Sequence, residues 1–225
     1  TVLIPKYALH LNDYEGNIIV TGPKQTVTKK NAEFASLTLD VTLGEQVGYQ
    51  FRGQKKHTSQ TKLLFCTDGT VLSWFMNRSK PETRKKLEEM KTLILDEVHE
   101  RSVRMEIILG MLPEIMKEFT FNLVLMSATI DSAPIKNHFK NVSSKAVKIY
   151  SNPGAKTFGK QIYFSNTKYS KQSINQTVVE KIRSVSNKIT QGDILVFLPS
   201  KNDTKVTCRE FYNNRMDKNG CPSIA

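Results

Sequence analysis

Short apolar runs alternate along this chain with longer stretches whose apolar residues recur at helical spacing. Asn17-Ile18-Ile19-Val20-Thr21 reads as a buried strand that Gly22-Pro23 ends. Thr26 to Leu39 reads as a helix. Lys62-Leu63-Leu64-Phe65-Cys66 is the next strand, followed by Thr67-Asp68-Gly69 and a core helix from Val71 to Met76 that carries Trp74 and Phe75. Ser79 stands three residues before Glu82, the spacing of a capping box, and predicts a short basic helix through Lys86 and Leu87. Thr92 to Leu95 is a strand. After His99, the residues Val103, Ile107, Ile108 and Met111 share a helical face. Pro113 has no N–H to give and is expected to end or kink that helix. Phe121 to Met126 is a strand, Ile135 and Phe139 sit on a brief helix, and Val147 to Tyr150 is a last strand.

Ser151-Asn152-Pro153-Gly154 breaks both periodicities and marks a boundary between residues 1–150 and 151–225. Beyond it come a strand, Gln161 to Phe164, and a helix with Ile174, Val178, Ile182 and Val185 on one face. Gly192-Asp193 leads into a further strand, Ile194 to Leu198, and the tail from Asn213 has little apolar content. Strands alternating with helices predict the α/β class.

Composition narrows the partners. The 225 residues carry Lys+Arg 33 against Asp+Glu 21, a net +12. That surplus points to an anionic partner, nucleic acid before a membrane surface, or to a generally basic proteome. Cys66, Cys208 and Cys221 are odd in number, far apart and without a CxxC pair, so neither a disulfide framework nor a zinc site is expected. Reduced thiols fit an intracellular protein, nuclear or cytoplasmic, with a viral origin open. No apolar run reaches the ~20 residues of a membrane span. A chain that opens on Thr1 rather than Met reads as an excised piece.

The chemistry gathers at two strand ends. Leu93-Ile94-Leu95 runs into Asp96-Glu97-Val98-His99, which places two carboxylates at the rim of a parallel sheet, where α/β proteins bind ligands. Asp96 would hold Mg²⁺ through water, and Glu97 would orient and deprotonate the water attacking a γ-phosphate. His99 is too far along to reach the same ion and is expected to hydrogen-bond across to a second domain. The plain alternative is an ordinary helix start, where acids favour the positive end of the dipole. About thirty residues on, Leu123 to Met126 ends in Ser127-Ala128-Thr129, either a turn or a group that bonds the acidic motif and relays nucleotide state. Thr21-Gly22-Pro23-Lys24-Gln25 offers backbone N–H groups and a lysine to a nucleic-acid phosphate, or is a solvated loop. Lys55-Lys56-His57 reads as an exposed loop, and His10, His57 and His138 have no partners at metal spacing.

The ordered set resembles the DEAH/RHA branch of superfamily 2 RNA helicases. Val47-Gly48-Tyr49-Gln50-Phe51-Arg52 is similar to the stretch after its motif Ia, and Cys66-Thr67-Asp68-Gly69-Thr70-Val71-Leu72 to its motif Ib. Asp96-Glu97-Val98-His99-Glu100-Arg101-Ser102 looks like motif II, and Ser127-Ala128-Thr129 like motif III. Gly192 to Pro199 resembles a strand near the start of the family's second domain. The resemblance runs nearly the whole length. It implies a RecA-like parallel sheet with helices on both faces, of the P-loop NTPase type, plus the beginning of a second RecA-like domain. It implies ATP and Mg²⁺ as cofactors, with Thr1, Asp96, Glu97, Ser127 and Thr129 at the nucleotide and Thr1 and Asp96 at the metal. It implies single-stranded or structured RNA as partner, touched by Thr21, Lys24, Thr67, Asp68 and Gly69, together with protein activators in an RNP, a monomeric state and 3′-to-5′ stepping.

Two departures matter. Motif Ia of that branch usually reads Gln-Pro-Arg-Arg, and here Gly22-Pro23-Lys24-Gln25 replaces two planar guanidinium forks with one ammonium and an amide. No Gly-x-x-x-x-Gly-Lys-Ser/Thr loop occurs in the chain. In relatives the loop's threonine is followed shortly by Ile-Pro, so Thr1, ahead of Ile4-Pro5, would be that residue, with Gly-Lys upstream. Without that lysine and without the family's arginine fingers, residues 1–225 alone are expected to hydrolyse little ATP. A helicase-derived RNA-binding scaffold without catalysis, and a DNA-directed translocase, stay open as alternatives.

Overall fold

The computed structural model describes residues 2–128, 132–140, 142, 147–150, 159, 161–164, 174–188 and 191–213. The chain divides into two compact units, Thr1–Pro153 and Gly154–Ala225.

The first unit is built on one six-stranded sheet. In chain order it contains α1 (Leu3–Leu11), β1 (Asn17–Gly22), α2 (Gln25–Leu39), β2 (Val47–Phe51), β3 (Gln54–Lys56), β4 (Leu63–Thr67), α3 (Asp68–Met76), α4 (Pro81–Glu88), β5 (Met90–Leu95), a single 3₁₀ turn (Val98–Glu100), α5 (Val103–Glu118), β6 (Asn122–Leu125) and α6 (Ser132–Phe139). The sheet order is β3-β2-β4-β1-β5-β6, parallel except for the β2–β3 hairpin.

Strand apolar runs are continuous because both faces are covered. Side chains alternate across the sheet. Ile19, Leu64, Cys66, Leu93 and Leu95 face a core completed by Trp74, Phe75, Ile108, Leu112 and Ile115 of α3 and α5. Ile18, Val20, Leu63, Phe65 and Ile94 face the other way, onto Leu9 of α1 and Ala32 and Ala35 of α2. Burying each large aliphatic of this set contributes about 1.5–3 kcal/mol. The alanines let α2 lie close on the sheet.

Several local expectations change. The helix after the acidic motif does not stop at Pro113 but runs through it to Glu118. A proline there strips the i−4 carbonyl, that of Leu109, of its helical donor. His138 Nε2 on α6 lies 2.9 Å from that carbonyl oxygen and donates to it instead. The capping box at Ser79 does not form: Pro81 takes the first helical position, which makes Lys80 the N-cap, with no side-chain cap. Lys55 and Lys56 belong to an exposed edge strand rather than to a loop. Val147–Tyr150 are exposed and pair with no strand among the described residues, and lie along a cleft of about 960 Å³ at the outer edge of β6.

In the second unit α7 (Ile174–Ser186) packs on α8 (Lys201–Asn213). Thr207 Oγ1 donates to Asn175 Oδ1 at 3.0 Å. Val179 is buried, with Ile174, Val178, Ile182 and Val185 half-buried beside it. Gln161–Phe164 and Ile194–Leu198, expected as strands, carry no ladder among the described residues and are largely exposed. An apolar run becomes a strand only where a neighbour supplies the hydrogen bonds. The expected tail beyond Asn213 lies outside the described residues.

Candidate nucleotide and nucleic-acid rim

The carboxyl ends of β4, β1, β5 and β6 lie side by side. Gly22 is level with Thr67, Thr21 with Leu95, and Leu95 with Leu125. This register brings Thr67-Asp68, Thr21-Gly22, Asp96-Glu97 and Met126-Ser127 to one rim.

Asp96 is 7% exposed. Its N–H donates to Thr21 Oγ1 at 3.4 Å, and its Oδ1 accepts from the Glu97 N–H at 3.0 Å. Glu97 has φ 57° and ψ 37°, in the left-handed region. A non-glycine residue there is costly and marks a place where the surroundings dictate the backbone. The turn lifts the Glu97 carboxylate out of the strand direction toward His99, whose Nε2 lies 3.4 Å from Glu97 Oε2.

His99 is clasped from its other side. The Ala128 N–H donates to Nδ1 at 3.3 Å, and Ser127 Oγ lies 3.2 Å from the same nitrogen. With Nδ1 accepting, the imidazole proton of the neutral ring sits on Nε2, facing Glu97. Backbone bonds back this clasp: Met126 N–H to Leu95 O at 2.9 Å and Val98 N–H to Met126 O at 3.1 Å. Within its own unit His99 thus bonds to Ser127 and Ala128. Thr1 and Thr129 lie outside the described residues.

Thr67, Asp68 and Gly69 form the start of a helix. Thr67 is the N-cap of α3 and Asp68 opens its first turn. Asp68 is 5% exposed and Thr21 1%. Both side chains are buried beneath the rim rather than presented at its surface. Burial raises the pKa of Asp68 above its ordinary value, and Thr21, acting as hydrogen-bond donor, together with Arg104 pulls it partly back. Lys24 is exposed at the N-cap of α2 with extended backbone. Its carbonyl accepts from Thr28 N–H and Oγ1. Gly22 beside it is tight, since a Cβ there would stand 3.1 Å from Thr28 Oγ1.

The reading from sequence missed the Ser102 cap, which accepts from Met105 N–H at 3.2 Å and starts α5 just past the acidic turn. The Ser-x-x pattern ahead of the apolar face was its signal. It also missed a cleft of about 530 Å³ walled by Val98, His99, Arg101, Leu109, Pro134 and His138. Asp96 and Glu97 are not among the residues that line it. Among the described residues no group of three or more His, Cys, Asp or Glu is placed to hold a metal. Mg²⁺ does not need one, since it keeps most of its waters and takes one or two carboxylates plus phosphate oxygens. A single rim carboxylate with Oδ1 fixed by an N–H fits that coordination.

A mostly parallel sheet with helices on both faces, and paired acids at its carboxyl rim, defines a RecA-like α/β layer. The DEAD/DEAH box helicase family model matches residues 19–138, and the chain belongs to that family. It is 29% identical over 239 residues to "Putative ATP-dependent RNA helicase L540" of Acanthamoeba polyphaga mimivirus, covering 97% of this chain and 32% of that protein. It is 29% identical over 205 residues to ATP-dependent RNA helicase HrpA of Borreliella burgdorferi, covering 91% of this chain and 24% of that one. Among solved structures, the Escherichia coli DEAH/RHA helicase HrpB aligns with a TM-score of 0.70 at 22% identity, over 88% of this chain and 24% of HrpB. The chain thus spans a third or less of the length of these relatives.

Proposed function

We propose that the full-length protein is an ATP-dependent RNA helicase or RNP-remodelling ATPase, and that this chain supplies most of its first RecA-like domain and the start of a second. The observation that carries the reading is the clasp of His99 between Glu97 and Ser127–Ala128, 3.4 Å to one side and 3.2–3.3 Å to the other. A bare helix start needs no such arrangement. A hydrolase does, because the base must be aimed and the state of the site must reach the neighbouring strand.

Asp96 would hold Mg²⁺ largely through water, with Thr1 as the hydroxyl ligand. When bound, the ion neutralises phosphate charge and polarises the group under attack. Glu97 orients the attacking water and takes its proton, and His99 Nε2–H holds the Glu97 carboxylate in line. Ser127, with the Ala128 N–H, keeps the His99 ring in its tautomer and passes a shift of the acidic turn to β6. Lys24, at the α2 N-terminus, and the Thr67–Gly69 backbone bind phosphates of the RNA strand. Relatives named as RNA helicases and a net charge of +12 support RNA as the partner.

Glu97→Gln tests the base. In the full-length protein, nucleotide binding stays within about twofold of wild type while RNA-stimulated turnover falls by roughly 10²–10⁴. Unchanged turnover removes Glu97 from that role. A wild-type protein that binds RNA but turns over no ATP makes it a scaffold.

A further inference from the structure

The turn that carries Glu97 and His99 is bracketed by two residues in the left-handed region. Glu97 opens it at φ 57° and Arg101 closes it at φ 47° and ψ 40°. Neither is glycine, so each conformation costs free energy that the surroundings must offset. The entry is held by backbone. The Glu97 N–H donates to Asp96 Oδ1, and the Val98 N–H to Met126 O. The exit is held differently. The Arg101 N–H turns back to Val98 O at 3.2 Å, inside the turn itself. Its guanidinium reaches forward instead: Nε donates to Glu106 Oε1 at 2.7 Å and Nη2 to Glu106 Oε2 at 3.3 Å.

Glu106 stands near the start of α5, where the helix is itself fixed. Ser102 Oγ accepts from the Met105 N–H at 3.2 Å, and Ser102 O from the Glu106 N–H at 3.0 Å. The fork thus ties the end of the acidic turn to a capped helix start. Two parallel bonds from a planar guanidinium also set direction, which one ammonium would not. An exposed pair ordinarily contributes little, and here the Arg101 side chain is 75% exposed and that of Glu106 42%. The surroundings raise its importance. Behind the turn lies the cleft of about 530 Å³, walled by Val98, His99, Leu109, Gly110 and His138. Close packing would hold a turn without further help, and an open cleft does not. Arg101 and Glu106 line that same cleft, and their bonds link the turn to α5 there.

We propose that Arg101 and Glu106 are positioning residues: their fork holds the exit of the acidic turn on α5, and so keeps the His99 ring where its Nε2 meets the Glu97 carboxylate. The proposal rests on the hydrolase reading of Glu97. Released from Glu106, Arg101 is free to leave the left-handed region, and the cleft gives the turn room to follow. His99 then loses its place 3.4 Å from Glu97 Oε2, and the base is aimed for a smaller fraction of the time. Neither residue needs to touch nucleotide or RNA to do this.

The test uses the full-length protein with Arg101→Ala, Glu106→Ala and the double variant. Steady-state hydrolysis is measured against ATP and against a single-stranded RNA. Both single variants lower RNA-stimulated kcat alike, by about fivefold, the order of one well-aligned surface pair, with KM for ATP and for RNA within about twofold. The double variant loses no more than the worse single one, because both cut the same link. A normal kcat in the two single variants overturns the proposal. So does a loss in Arg101→Ala with normal turnover in Glu106→Ala, which makes Arg101 a direct contact of substrate. A raised KM at normal kcat, or additive loss in the double variant, overturns it as well. Hydrogen–deuterium exchange reads the turn independently of turnover. Faster exchange confined to residues 97–101 in both single variants supports the fork. Unchanged exchange there removes it, and so does exchange accelerated throughout the sheet, which makes the pair a matter of global stability. A wild-type protein that binds RNA without hydrolysing ATP defeats the hydrolase reading alone, and the exchange measurement still decides whether the fork holds the turn.

Discussion

Glu97 is held at φ 57° between two residues that could not be more ordinary, Asp96 at the end of a strand and Val98 at the start of a 3₁₀ turn. The Glu97 N–H bonded to Asp96 Oδ1 and the Val98 N–H bonded to Met126 O make that conformation. Backbone strain is tolerated because both neighbouring amides are used. At the same scale Cys66, fully buried, has its thiol pushed up by desolvation and by Asp68, and is a packing residue rather than a nucleophile. Asp68 makes a sign-definite prediction. Burial raises its folded-state pKa above 3.8. Below 3.8 both folded and unfolded chains hold the proton, and the acid costs nothing. As pH rises from 3.8 through the raised value, unfolding releases a proton, so stability falls and then levels off. Asp68→Asn does not titrate. The melting temperature of Asp68→Asn relative to wild type should therefore climb across that window, in thermal scans stepped in pH; a constant difference would mean that Asp68 titrates normally.

Elements are held by contacts between them as much as by their own sequences. α5 passes Pro113 because α6 supplies a donor to the Leu109 carbonyl. His138→Ala removes that donor and should cost about 0.5–1.5 kcal/mol in denaturant unfolding. In a Pro113→Ala background the helix regains its own N–H, so the same change should cost clearly less. Equal costs in both backgrounds would show that His138 stabilises α6 by packing on Phe139 and not by serving the proline. A short cross-link of the same kind joins α4 to α5. Arg84 and Arg78 both reach Glu118, at 2.7 and 3.0 Å, and Arg84 also lies 5.3 Å from the Phe119 ring centroid. These are exposed pairs, so they fix where α5 ends more than they stabilise it.

The first unit places one continuous rim across four parallel strands, and the chain carries a net charge of +12. If the partner is RNA held by phosphate, affinity is carried by released counterions. Log K for a single-stranded RNA should then fall linearly with log salt, by about 0.7 for each phosphate engaged. Lys24→Ala should flatten that slope by roughly 0.7, measured by fluorescence anisotropy at several salt concentrations. A slope unchanged by the substitution would take Lys24 out of the phosphate path.

Much of this was readable in the order of residues. Strands β1, β4, β5 and β6 announce themselves because a strand covered on both faces must be apolar throughout, and the acids at Asp96–Glu97 stand where such a run ends. Helix faces such as that of α7 follow from a period that local geometry imposes. What no local pattern contains is the identity of a partner. Asp68 turned inward because α5 and β1 close over it. His99 found Ser127 and Ala128 because β5 and β6 are neighbours in the sheet. Pro113 stayed helical because His138 arrives from a later helix. The runs at Gln161–Phe164 and Ile194–Leu198 have the composition of strands, but their hydrogen bonds depend on a neighbour. Burial and pairing are set by which distant segments meet, and that is decided by the folded chain.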